Sequence, residues 1–214
     1  MAPGDSTQPR RLRGFRRLAG IDRSGPLPAS TRRGQPLHPW TLPNLVGYLR
    51  IAAIPVFLVL ALDSSDGRTP ATAVLYLWIT FGDFIDGFLA RATGQYSRLG
   101  ALMDPVIDRL AALSGAVVCW HFELLPRWAL IVLVAREIAT VVLARASLAR
   151  GLDLEVSWVG RLATFAVFSG LFWSLVIDSW ATVALFFVGL ALGIYATVIY
   201  ALAGRRALRE LPGT

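Results

Sequence analysis

Apolar residues fall along the chain in six long runs, at 44–62, 71–92, 100–120, 126–147, 158–177 and 181–203, separated by short polar connections. Each run approaches the roughly 20 residues that an α-helix needs to cross a hydrocarbon core about 30 Å thick. Helices are the natural reading, because backbone groups in lipid have to be satisfied within their own segment. Trp40, Trp120, Trp128, Trp158 and Trp180 fall near the predicted ends, where an aromatic belt would sit. The pattern therefore predicts an all-α membrane protein of about six transmembrane helices, forming one domain over 38–207.

Residues 1–37 break the pattern. They are polar and rich in Pro and Gly, and they carry eight arginines against Asp5 and Asp22. Too little apolar surface is present to support a fold, so the segment is predicted to be a disordered basic tail. Its 10–20 stretch is also compatible with a short amphipathic helix on an anionic membrane surface. A second short tail is predicted at 208–214. The first apolar run is too long for the core of a secretory signal.

Composition agrees with a membrane chain: 55% of the 214 residues are hydrophobic and 16% charged, against about 25% charged in a soluble domain. Mean hydropathy is +0.57. The net charge of +7 comes entirely from arginine, with no lysine present. A lone cysteine, Cys119, excludes an internal disulfide and reads as inert core. Arg98, Arg150, Arg205, Arg206 and Arg209 lie in the connections and end that share a side with the basic N-terminus. The other side carries Arg68 and Arg127 beside Asp63, Asp66, Glu123 and Asp178. The positive-inside rule then places both termini in the cytosol, in a cell membrane. Gly189 and Gly193 read as a close-packing pair in the sixth run.

Against this apolar background, acids concentrate between Asp83 and Asp108. The order is Asp83-x2-Asp86-Gly87-x2-Ala90-Arg91, eight residues, then Gly100-x3-Asp104-x3-Asp108. A carboxylate deep in a spanning helix costs roughly 2.5–3.5 kcal/mol, so such residues mark function. Asp83 and Asp86 share one helical face, as do Asp104 and Asp108, at spacings of three and four residues. Two helices joined by a short loop are antiparallel neighbours, so the two faces converge. Four carboxylates at one place repel each other, and a hard divalent cation resolves the repulsion. Oxygen-only ligands favour Mg²⁺ or Mn²⁺ over Ca²⁺, and no His or Cys lies near enough to suggest zinc. Gly87, Ala90 and Gly100 leave space beside the acids, and Arg91 is suited to grip a phosphate.

This register resembles the signature of the CDP-alcohol phosphatidyltransferases, all of whose specified positions are met over about 26 residues. The opening Pro43-Asn44, with Arg50 and Pro55 following, is also similar to many members. The resemblance implies six transmembrane helices, a homodimer, and a cytosol-facing active site with two Mg²⁺ or Mn²⁺ ions. It implies that Asp83, Asp86 and Asp104 bind metal with Asp108 near the metals, and that Asp108 is the general base. Gly87, Ala90, Arg91 and Gly100 would lie along the CDP part of CDP-diacylglycerol. The reaction implied is transfer of a phosphatidyl group to an acceptor hydroxyl with release of CMP; no nucleic-acid partner is expected.

Arginines in or at the ends of the apolar runs predict an anionic acceptor pocket lined by Arg50, Arg98, Arg109, Arg136 and Arg161, with Arg145 a further intramembrane cation. Arg136 and the adjacent Glu137 are not expected to face each other on a helix. A phosphate-bearing acceptor follows: phosphatidylglycerol, which would make a cardiolipin synthase, or glycerol 3-phosphate, which would make a phosphatidylglycerophosphate synthase. The stretch Ser97 to Pro105 looks like that branch of the family. Asp104-Pro105-Val106-Ile107-Asp108-Arg109 departs from the Asp-Pro-Leu-Ala-Asp-Lys frequent there and leaves the subclass open. A divalent-cation transporter using the same acids is the non-enzyme alternative, but 71–80 and 111–120 are almost wholly apolar and give no through-path.

Overall fold

The computed structural model describes residues 37–149 and 158–210, with side chains to residue 147 and over 158–204. The basic tail before Leu37, Arg150, the side chains of Arg205, Arg206 and Arg209, and the segment after 210 lie outside what is described.

Among the described residues six helices follow in chain order: α1 (Leu42–Leu62), α2 (Pro70–Thr93), α3 (Arg98–His121), α4 (Arg127–Ala149), α5 (Trp158–Ser174) and α6 (Trp180–Glu210). Among the described residues there is no strand. Each helix corresponds to one predicted apolar run. Three of their starts are set by hydroxyl residues that accept from otherwise unpaired first-turn N–H groups. Thr69 Oγ1 accepts from Thr72 N at 3.2 Å, with Pro70 at the first helical position. Ser97 Oγ accepts from Gly100 N at 2.9 Å, and Ser179 Oγ accepts from Ala181 N at 3.3 Å. α2 stops at Gly94, whose φ of +69° is the left-handed conformation that glycine adopts freely. Pro55 and Pro105 lie inside α1 and α3.

α1, α2 and α6 (to Gly204) are long and apolar enough to cross a membrane. α3 and α4 carry internal charges, and α5 has 17 residues. Large apolar side chains remain exposed along the helices, among them Val59, Val74, Ile138, Phe165 and Val198. Such an exterior suits lipid rather than water. The five tryptophans singled out above lie at or beside helix ends and are all exposed.

The chain divides into two compact units, which have different interiors. One comprises 37–55 and Leu77–Asp108 of the described chain. Its buried residues include Asn44, Arg50, Asp86 and Ser97 beside Ile54, Ile79 and Ile107. The other comprises Val56–Tyr76 and Arg109 onward. It is predominantly apolar, with Phe57, Val118, Leu130, Leu133, Leu171 and Phe186 essentially inaccessible. Cys119 belongs to this apolar interior, as expected. In the second unit α5 and α6 approach closely: a Cβ at Gly189 would lie 2.5 Å from Val167 N, and one at Gly170 would lie 2.7 Å from Phe186 Cα. Gly189 thus has the packing role expected of it, whereas Gly193 faces the side chain of Arg136 on α4.

Candidate active site

The polar interior of the first unit brings the acids together. Asp83 and Asp86 project from one face of α2, and Asp104 from the first part of α3. One carboxylate oxygen from each of the three lies within 4.8 Å of the others. Asp86 is buried, Asp104 half-buried and Asp83 exposed, so the group opens at one side. Three convergent carboxylates are a donor set for a hard divalent cation, and the grouping fits an oxygen-preferring ion such as Mg²⁺ or Mn²⁺. Asp108, one turn beyond Asp104, stands outside this group. Its side chain is 44% exposed, and its Oδ1 accepts from Arg50 Nη2 at 3.4 Å.

Arg50, on α1, has no exposed surface. Its Nε donates to the Ile79 carbonyl at 2.9 Å and its Nη1 to Asp86 Oδ2 at 3.0 Å. The sequence places Arg50 among the expected acceptor-phosphate ligands; its observed partners are carboxylates and a backbone carbonyl of this same unit. The stem reaches them across Gly82, where a Cβ would lie 2.5 Å from Arg50 Cδ. A buried charge of this kind is tolerated because it is paired and hydrogen-bonded. Removing one partner of such a pair typically costs about 3–5 kcal/mol, since the remaining charge is left uncompensated.

A cavity of about 190 Å³ adjoins the acids. Asp86, Asp104, Gly87, Ala90, Arg91 and Gly100 all line it. Two of these small residues have visible reasons for being small. A Cβ at Gly87 would lie 3.2 Å from Arg91 Nη1, so the guanidinium rests over the glycine one turn away. A Cβ at Gly100 would lie 2.9 Å from Asn44 Oδ1.

Asn44, Ser97, Gln95 and Tyr96 also line the cavity, though they were not among the sequence-predicted site residues. Asn44 is buried, donates to the carbonyls of His38 (2.9 Å) and Pro39 (3.1 Å), and accepts from Ser97 Oγ (2.7 Å). The signals were present: an asparagine in the first turn of an apolar helix, a serine at a cap position, and a glycine beside the first aspartate.

The remaining arginines separate by unit. Arg98, half-buried, belongs with the acids; Arg109, Arg136 and Arg161 belong to the second unit. Arg161 and Arg145 are exposed. Arg136 Nη1 forms an ion pair with Glu137 Oε1, which corrects the expectation that the two would not meet. Adjacent Cβ atoms diverge on a helix, but the long arginine stem bends round to its neighbour. The Arg136 Nε is buried without a hydrogen-bond partner.

The sequence matches the family model for CDP-alcohol phosphatidyltransferases over residues 40–197. The chain belongs to the CDP-alcohol phosphatidyltransferase family. It is 38% identical over 129 residues to a cardiolipin synthase (CMP-forming) of Streptomyces coelicolor, a match covering 58% of this chain and 60% of that protein. It is 31% identical over 181 residues to a CDP-diacylglycerol–glycerol-3-phosphate 3-phosphatidyltransferase of Salmonella paratyphi A, covering 80% of this chain and 98% of the relative. A Bacillus subtilis protein of the latter name is 29% identical over 139 residues, covering 59% of this chain and 72% of that protein. Membership identifies the chain as a phosphatidyltransferase of phospholipid synthesis, and the matched residues include the acidic group and the cavity lining just described.

Proposed function

We propose that the chain transfers a phosphatidyl group from CDP-diacylglycerol to a hydroxyl of phosphatidylglycerol, giving cardiolipin and CMP. The observation that carries the reading is the convergence of Asp86, Gly87, Ala90, Arg91, Gly100 and Asp104 on one cavity. Asp83, Asp86 and Asp104 are the residues to hold Mg²⁺ or Mn²⁺, two ions on the family pattern. Bound there, the metal would supply electrostatic stabilisation to the diphosphate oxygens and to the departing CMP.

The protein's own residues account for the remaining chemistry. Arg91, lying over Gly87, offers a guanidinium to the diphosphate. Gly87, Ala90 and Gly100 keep the cavity wall thin along the CDP portion. Asp108 takes the proton from the acceptor hydroxyl. The acceptor oxygen then bonds to the phosphorus that carries diacylglycerol, and the bond from that phosphorus to the CMP oxygen breaks with its electron pair leaving on CMP. Arg98, Arg109, Arg136 and Arg161 are the candidates for recognising acceptor phosphate.

The choice of phosphatidylglycerol rests on the name of the 38% identical relative. Glycerol 3-phosphate is the second reading, supported by the relative covered over 98% of its length. The 38–207 segment is the catalytic domain in this reading, with six spans, both termini cytosolic, and a homodimeric assembly. The transporter alternative loses its motivation with membership in a transferase family.

An acceptor panel tests the assignment. Purified protein with Mn²⁺ and labelled CDP-diacylglycerol is given phosphatidylglycerol, glycerol 3-phosphate, inositol phosphate or choline, and the lipid products are separated. Cardiolipin with phosphatidylglycerol alone is expected. Phosphatidylglycerophosphate would select the second reading, and absence of CMP with every acceptor would overturn both.

A further inference from the structure

We propose that Arg50 is a positioning residue of the transfer reaction, holding Asp108 apart from the metal-binding acids so that it serves as the proton acceptor. The inference rests on the phosphatidyltransferase reading above and concerns how four similar carboxylates come to have different tasks.

Asp83, Asp86 and Asp104 offer oxygens within 4.8 Å of one another, while Asp108 is held by Arg50. The same guanidinium bonds Asp86 through Nη1 at 3.0 Å and Asp108 through Nη2 at 3.4 Å. One rigid, planar group thus sets the separation between a carboxylate of the metal group and the carboxylate assigned as base. The group is itself fixed, because Nε is anchored on the Ile79 carbonyl at 2.9 Å and the stem lies against Gly82. With no exposed surface, Arg50 does not meet substrate directly; it acts through Asp108.

A lysine at this position keeps the charge but not the fork. An ammonium on a flexible stem cannot reproduce three donors in one fixed plane. The geometry therefore predicts that Arg50→Lys impairs turnover much more than it impairs metal binding. A merely structural arginine would lose both together, and an acceptor-binding arginine would raise the acceptor KM instead.

The test uses the purified full chain in detergent. CMP release is measured with donor and acceptor varied, and Mn²⁺ binding is measured separately by the electron paramagnetic resonance signal of the free ion. For Arg50→Lys, kcat is expected to fall about 100-fold, the effect of misplacing a reacting group by about 1 Å. Mn²⁺ affinity and both KM values should stay within about threefold. In an Asp108→Asn background the same change should lower the residual rate by less than about threefold, because the two residues act as one unit.

Gly82→Ala is the second variant. It retains the guanidinium and displaces its stem, so it should reproduce the kcat loss even if Arg50→Lys elutes as aggregate. Wild-type kcat in a well-folded Arg50→Lys overturns the inference, as does equal loss of Mn²⁺ binding and turnover, or a full additive loss on top of Asp108→Asn. An active wild type with unimpaired variants overturns this inference alone. A wild type that binds Mn²⁺ but releases no CMP overturns the transfer reading as well.

Discussion

Ser97 and Asn44 hold the entrance of α3 against the start of α1: the Ser97 hydroxyl donates to Asn44 Oδ1 at 2.7 Å while accepting the Gly100 N–H at 2.9 Å. The asparagine amide is fully used, because its nitrogen serves the carbonyls of His38 and Pro39. Asn44→Ala leaves a buried hydroxyl and two carbonyls without their partner, at about 1–3 kcal/mol for the groups stranded. A lower midpoint of thermal unfolding in detergent is expected. Asn44→Asp should not rescue it, since an ionised carboxylate turned toward two carbonyls repels them.

Gly100 and Gly94 separate crowding from backbone strain. A Cβ at residue 100 would press on Asn44 Oδ1 at 2.9 Å and Ser97 Oγ at 3.2 Å. Gly100→Ala should therefore lose about 1–3 kcal/mol to overpacking and also raise the KM for CDP-diacylglycerol. At Gly94 nothing lies within 4 Å, but φ is +69°. Gly94→Ala should lose about 1–2 kcal/mol from the left-handed backbone alone, with Gly94→Asn milder. Thermal midpoints together with donor titrations distinguish the two causes.

The acids should divide by task. Asn at 83, 86 or 104 should weaken Mn²⁺ binding by more than about tenfold, since each removes one charged oxygen donor. Asp108→Asn should leave Mn²⁺ affinity nearly unchanged and lower kcat by about 10²–10⁴-fold, the usual range for loss of a general base. Chelation should stop CMP release, and added Mg²⁺ or Mn²⁺ should restore it. Spin-resonance titration and CMP assays on the same preparations provide the check.

The α5–α6 contact should be intolerant of even one methyl group. At Gly189 the obstacle is backbone, Val167 N at 2.5 Å, which cannot rotate away. Gly189→Ala should cost about 1–3 kcal/mol. Unfolding monitored by circular dichroism in detergent measures it.

Membrane sidedness can be read with thiol labelling. In a Cys119→Ala background, a cysteine at Tyr96 should react with an impermeant reagent only from the cytosolic side. One at Asp66 should react only from the other side. The opposite pattern in oriented vesicles would reverse the topology.

Much of this molecule was legible in its sequence. Apolar runs gave the helices to within a few residues at most boundaries, and threonine or serine at positions 69, 97 and 179 marked where three begin. α5 ends at Ser174, short of the expected 177, where the Ser174 hydroxyl bonds back to the Gly170 carbonyl at 2.8 Å. α6 runs on past 203, through Gly204, to Glu210. Three of the four acids could be brought together from helical periodicity and one short loop. The partners of Arg50 were not legible, since 36 and 58 residues separate it from Asp86 and Asp108, and local spacing rules do not reach that far. The Arg136–Glu137 pair was misread for the opposite reason: a rule about Cβ directions says little about a side chain with four rotatable bonds.

The buried arginine also imposes an order on how the protein is made. α1 leaves the ribosome first, apolar enough to enter a bilayer yet carrying one cation whose neutralising carboxylates have not been synthesised. An unpaired arginine at mid-helix opposes insertion by roughly 2.5–3.5 kcal/mol on the translocon scale. That cost is offset only when the chain that follows brings Asp86 and Asp108 to the guanidinium, so α1 on its own is the least favourable form in which this arginine meets a bilayer.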